Sequence, residues 1–216
     1  MSAANVTIES KSRFSRRSLV LGGLCVAVVA AIALDTTVVR IGSDADLRQQ
    51  AFSPDSYGAQ EFPRIREHVL TRAAEAGALV AQIASDKAGA IKAHGTEGGV
   101  GPIFAVHLQG TVGKGKGGIH DVAIEGVDGV RVRVQFGPAI NGTDLRDVPG
   151  DIAFGQFKNQ IEYQDAGAGI NRAMKAAALD GIDGAALEGK PVSVTGVFRL
   201  INPKMWLVTP VEVQVQ

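Results

Sequence analysis

The densest run of side chains able to hold a polar solute lies in two neighbouring segments. They read Gly137-Pro138-Ala139-Ile140-Asn141-Gly142-Thr143-Asp144-Leu145-Arg146-Asp147 and Phe154-Gly155-Gln156-Phe157-Lys158-Asn159-Gln160-Ile161-Glu162-Tyr163. Amides donate and accept, a guanidinium presents a planar fork of donors, carboxylates accept, and a phenol does both. Together these groups suit sugar hydroxyls or a small carboxylate. The candidate ligand-binding residues are Asn141, Thr143, Arg146, Asp147, Asn159, Gln160, Glu162 and Tyr163. Asn159 and Tyr163 are one helical turn apart and share a face. A structural reading stands beside this one, in which Arg146 pairs with Asp147 or Glu162 and pins a crossover in the chain.

Other chemistries find less purchase. No serine stands in a G-x-S-x-G turn, and Cys25, the single cysteine, lies inside a hydrophobic run. One cysteine allows neither an intramolecular disulfide nor a cysteine metal cluster. His68, His94, His107 and His120 form no H-x-x-x-H pair, although His107 and His120 can face each other across a hairpin. Asp144, Asp147, Glu162 and Asp165 can pair as acid and base, but no spacing demands it. Gly113-Lys114-Gly115-Lys116-Gly117-Gly118 lacks the order of a phosphate loop and reads as a hairpin turn. No catalytic residue, metal or cofactor is therefore expected.

Charge narrows the partners. The formal net charge is zero, yet Lys11, Arg13, Arg16 and Arg17 stand against Glu9 at the N-terminus, so the remainder is weakly acidic. Nucleic acid is excluded for want of a basic face.

The stretch Leu19 to Leu34, LVLGGLCVAVVAAIAL, carries no charge. At 1.5 Å per residue its sixteen residues reach roughly 24 Å, short of a ~30 Å hydrocarbon core, and extension to Val39 past Asp35 brings it into range. The arginines before it keep the N-terminus inside and put residue 40 onward outside. A retained signal anchor over residues 19–39 is the favoured reading. Cleavage near Ala31-Ile32-Ala33 and a lipoprotein signal ending at Cys25 are the others, the last opposed by the bulky Leu24 before the cysteine. Ser15-Arg16-Arg17-Ser18-Leu19 is also similar to a twin-arginine export signal.

Residues 40–51 read as a juxtamembrane spacer. Ser53 and Pro54 open helical signals, Pro63 restarts them, and Ile65, Val69, Leu70, Ala73, Ala76, Val80 and Ile83 predict an amphipathic helix over 63–84. Ser85-Asp86 caps a short helix ending at His94-Gly95. Beyond the glycine-rich 95–101 the period falls to two: strands are expected from Ile103 to about Gly113, over 119–126 and through Val130, Val132 and Val134. Residues 137–155 read as irregular, 156–178 as a helix, and Pro191 to Leu200 and Met205 to Gln214 as strands. The class is α+β: an N-terminal transmembrane or signal-anchor helix, a helical neck, and a small β-barrel of OB-like β-β-β-α-β-β order. The expected divisions are 1–39, 40–100 and 101–216.

The hydrophobic N-terminus together with Phe52-Ser53-Pro54-Asp55-Ser56-Tyr57, the Gly137 to Asp147 run, Phe157 to Tyr163, and Trp206-Leu207-Val208-Thr209-Pro210-Val211 resembles a domain-of-unknown-function family. The resemblance covers most of the chain from Asp35 onward. It implies a periplasmic lipoprotein, of a kind often encoded beside sugar ABC transporters, with no established enzyme activity. Leu24-Cys25 departs from the lipoprotein pattern.

The expectation is a non-enzymatic accessory protein on the outer face of the cytoplasmic membrane. It binds a sugar or similar small polar solute, or ABC transporter components, in aid of uptake. The alternative is a structural or interaction protein of the cell envelope without a small-molecule ligand.

Overall fold

A computed structural model describes residues 16–35 and 52–216. The chain divides into two compact units, Met1–Ala51 and Phe52–Gln216. In the first, helix α1 runs from Arg16 to Asp35, and its described apolar side chains, among them Val20, Leu24 and Val29, are exposed. Among the described residues no helix is long and apolar enough to cross a membrane. The expected span over residues 19–39 thus falls only partly on α1. Residues 36–39, which were to supply the missing length, lie outside the described residues, as does the spacer through 51.

The second unit begins with α2 (Pro54–Arg72), whose N-cap Ser53 accepts a hydrogen bond from the Ser56 amide. Phe62, Ile65 and Val69 are its buried stripe. Pro63 does not restart this helix but sits inside it on an exposed face, away from the packed side. The single helix expected over 63–84 is in fact two. Ala74–Glu75 forms strand β1, pairing in parallel with Val106 and His107, before α3 (Ala76–Ser85). Nothing local marks this break, because a sheet partner thirty residues away supplies it. Asp86 then caps α4 (Lys87–His94) by accepting from the Gly89 amide at 2.9 Å.

The sheet follows: β2 (Gly95–Thr96), β3 (Ile103–Lys116), β4 (Ile119–Ala123) and β5 (Arg131–Gln135). The one-turn helix α5 (Asp144–Asp147) and a 3-10 turn (Phe154–Gln156) interrupt the segment expected to be irregular. Next come α6 (Gln160–Ala178), starting four residues later than its apolar pattern suggests, a second 3-10 turn (Gly184–Ala186), β6 (Pro191–Arg199) and β7 (Met205–Val215). Antiparallel pairings join β3 to β4, β4 to β5, β7 to β6 and β6 to β3, while β5 and β7 run parallel. Five strands therefore form a closed ring of pairings, with α6 between the third and fourth in sequence.

The interior of this ring is apolar and aromatic. Trp206 is fully buried and stacks on Phe198 at 4.2 Å, and Phe198 stacks on Phe104 at 5.6 Å. Such pairs add about 0.5–1.5 kcal/mol each beyond the area they bury. α2 and α6 approach backbone to backbone. A Cβ on Gly58 would overlap the Gly169 carbonyl, and one on Gly169 would overlap the carbonyl of Pro54. The helices pack on the sheet inside the unit Phe52–Gln216.

Candidate functional site

The site grows from α5. Leu145 is fully buried and fixes this single turn, which turns Arg146 inward until only 6% of it is exposed. A cation buried so far needs partners. Its Nε donates to Asp147 Oδ1 at 2.7 Å, and its Nη1 donates to the Tyr163 carbonyl at 2.9 Å. The guanidinium plane lies over the Tyr163 ring, 3.6 Å from the centroid. Gly167 on α6 faces it, and a Cβ there would make only ordinary van der Waals contact with Thr143 Cγ2 and Arg146 Cδ.

A second arginine closes the network. Arg199, at the end of β6, donates from Nε to Asp144 Oδ1 and from Nη2 to Asp147 Oδ2, both at 2.8 Å, and from Nη1 to the Gly101 carbonyl. Thr143 Oγ1 also donates to Asp147 Oδ2, at 2.8 Å. Burial pushes the Asp144 carboxyl above its ordinary range, and the Arg199 charge only partly offsets this. Side-chain rings surround the pair: Tyr163 meets Phe154 and Phe157, and Phe157 meets Tyr57 and Phe52.

Above this network lies a cleft of about 490 Å³ lined by Thr143, Arg146, Asp147, Tyr163 and Arg199, by Glu97 to Val100, and by Gly150, Ile152 and Ile201. Two other hollows of similar volume exist, about 580 and 590 Å³. The second is lined by the buried His120, and no buried arginine, lysine or carboxylate lines either. Among the described residues no group of acidic, histidine or cysteine side chains is placed to hold a metal ion. His107 bonds Thr195 across the β3–β6 ladder and His120 faces Gly115, so the two do not meet across the first hairpin.

The structure gathers four of the eight expected site residues at the cleft: Thr143, Arg146, Asp147 and Tyr163. The other four go elsewhere. Asn159 is the N-cap of α6, accepting from the Glu162 amide at 2.9 Å, while the Glu162 carboxylate accepts from the Lys158 amide at 3.0 Å. This pair is helix-capping chemistry. Gln160 is exposed in the first turn. Asn141 is held by its backbone, which exchanges hydrogen bonds with the Gln135 amide, leaving its side chain in solvent. The pairing of Arg146 with Asp147 rather than Glu162 fits one arm of the structural alternative. Arg199 and the Gly98 to Val100 lip carry no signal in the sequence read alone, except that an arginine closes an otherwise apolar strand.

A family model described as a predicted periplasmic lipoprotein, DUF2291, matches residues 24–214. The chain belongs to this family. The match begins one residue before Cys25 and runs through α2 to the penultimate residue of β7, the cleft included. A search of curated proteins finds no match. Among solved structures the chain is similar to an OB-fold protein from Thermotoga maritima MSB8, with 14% identity and a TM-score of 0.60. The likeness covers 77% of this chain and 99% of that one. At that identity it concerns the fold, and it matches the mixed α+β architecture with its closed ring of pairings.

Proposed function

We propose that the chain is a non-catalytic accessory protein held at the outer face of the cytoplasmic membrane, whose cleft over Arg146 holds a small polar solute for uptake through an ABC transporter. The observation that carries this reading is a charged side chain, nine-tenths buried, that lines an open cleft instead of a closed core. Arginine is almost never so buried unless it is paired, and this one is paired yet still borders the cleft. The family description supports an extracytoplasmic location. Attachment runs through the apolar segment of residues 19–39 or through acylated Cys25. The ring of pairings and the OB-fold neighbour support reading the sheet as a small five-stranded barrel.

The test is isothermal titration of the full-length protein, in nanodiscs, against a panel of sugars and purified permease and binding-protein components. Saturable binding to at least one supports the reading, and its absence across the whole panel overturns it. A second reading is a structural envelope protein, favoured by one observation: both oxygens of Asp147 are already satisfied within the fold.

A further inference from the structure

The network beneath the cleft specifies a class of ligand, given that the cleft is a solute site. Arg146 and Arg199 are each paired with a carboxylate at 2.7–2.8 Å, so neither guanidinium is left to neutralise an incoming anion. Asp147 accepts three hydrogen bonds, so it offers no strong acceptor to an incoming cation. With Glu97 on the rim, two arginines stand against three carboxylates, counting Asp144 behind the floor. An anion entering here meets a slight excess of negative charge, so it loses hydration at the floor without a countercharge. An ammonium group meets two guanidiniums at the floor, and the carboxylate outside the arginine pairs, Glu97, stands exposed on the rim, where its attraction is screened by solvent.

What remains is neutral hydrogen bonding. Two edges of the Arg146 guanidinium are fixed, by Asp147 and by the Tyr163 carbonyl, and one face by the ring beneath it, while no described residue accepts from Nη2. The Tyr163 hydroxyl likewise has no hydrogen-bond partner among the described residues. Arg146 is therefore a donor held in place before any ligand arrives, which lowers the entropy lost on binding. The lips of the cleft are apolar, with Val100 80% and Ile201 70% exposed.

We infer that the cleft selects an uncharged, hydroxyl-rich ring compound, with one ligand oxygen accepting from Arg146 Nη2, a second hydrogen-bonded to the Tyr163 hydroxyl, and an apolar ring edge against Val100 and Ile201, and that it discriminates against the charged forms of the same skeleton. This rests on the reading of the cleft as a solute site. Rejection is built from paired charges, and attraction from two groups without protein partners, Arg146 Nη2 and the Tyr163 hydroxyl.

The probes are glucose, galactose and mannose, each with its uronic acid and its 2-amino sugar, titrated against the full-length protein and its Tyr163→Phe and Glu97→Lys variants. Expected is an uncharged sugar bound at least about tenfold more tightly than its uronate and amino forms. Tyr163→Phe, which keeps the ring under Arg146, should weaken that binding without moving the unfolding midpoint. Glu97→Lys should narrow the gap to the uronate. A uronate or amino sugar binding as tightly as its parent overturns the inference while leaving the cleft a solute site, as does Tyr163→Phe without effect. Absence of binding by all nine probes overturns the inference; the reading beneath it falls as well only if the permease and binding-protein components also fail to bind.

Discussion

Arg146 holds Tyr163 twice, once by donating to its backbone carbonyl at 2.9 Å and once by lying 3.6 Å above the centre of its ring. The two residues belong to different helices, α5 and α6, so this contact fixes the short turn that carries Thr143 and Asp147 to the long helix behind the cleft. Stability and site geometry are joined at one side chain.

Removing that side chain leaves the part-buried Asp147 beside a cavity and short of one ionic partner. Arg146→Ala should cost about 3–5 kcal/mol, the usual penalty for breaking a buried ion pair from one side. For a unit of this size that corresponds to a fall in Tm of between about 6 and 20 °C. Differential scanning calorimetry reads it directly; a fall under about 2 °C would show that the pair contributes little.

The contact between α2 and α6 depends on two glycines. Gly58→Ala and Gly169→Ala each force a methyl group into a neighbouring backbone carbonyl, so each should destabilise by about 1–3 kcal/mol or more. Gly155→Ala is the control, because a Cβ there meets nothing within 4 Å and its φ is not positive. Chemical denaturation followed by fluorescence of Trp206, the single tryptophan, compares the three.

Two carboxylates should respond to pH with opposite sign. Asp121 is held below the ordinary range chiefly by its hydrogen bond from Arg131, so its contribution is present above the unfolded value and is lost as pH falls. Asp144 is raised by burial, so the folded state binds its proton more readily than the unfolded one. Its contribution to stability is then largest below the unfolded value and declines as pH rises through the raised one. Asp144→Asn should remove that decline, so the stability difference between the variant and the parent should change with pH just above the ordinary carboxylate range. A difference constant across that range contradicts the assignment.

Attachment to the membrane also has a direct readout. Intact-mass measurement of the protein extracted from membranes distinguishes a retained N-terminus from cleavage and acylation at Cys25. The bulky Leu24 before the cysteine predicts the unprocessed mass; a mass beginning at Cys25 with added acyl chains would establish the lipoprotein form.

Legibility in the sequence followed the range of the interactions. Ser53 and Asp86 announced their helices because a cap is satisfied within three residues, and β6 and β7 showed because alternation is a local pattern. The break between α2 and α3 did not show. Ala73 ends the helix, Ala74 and Glu75 pair with β3, and none of the three is a glycine or proline. In the site, the polar run 137–163 pointed to Thr143, Arg146, Asp147 and Tyr163, but side-chain type alone could not separate them from Asn159 and Glu162. The spacing N-x-x-E before an apolar helix was the separating signal, since it is a cap signature. Arg199 was out of reach because its partners, Asp144 and Asp147, lie more than fifty residues earlier in the chain.

The central claim is that the guanidinium of Arg146 is a working donor and not only a structural pin. Arg146→Lys keeps the positive charge beside Asp147 but loses the planar edge and the stacking on Tyr163. The decisive measurement is titration of full-length wild-type and Arg146→Lys protein with the tightest uncharged sugar of the panel, beside their unfolding midpoints. The account requires affinity to fall by at least about tenfold, roughly 1.4 kcal/mol, while the variant remains folded at the titration temperature. Equal affinity in the two proteins would contradict it.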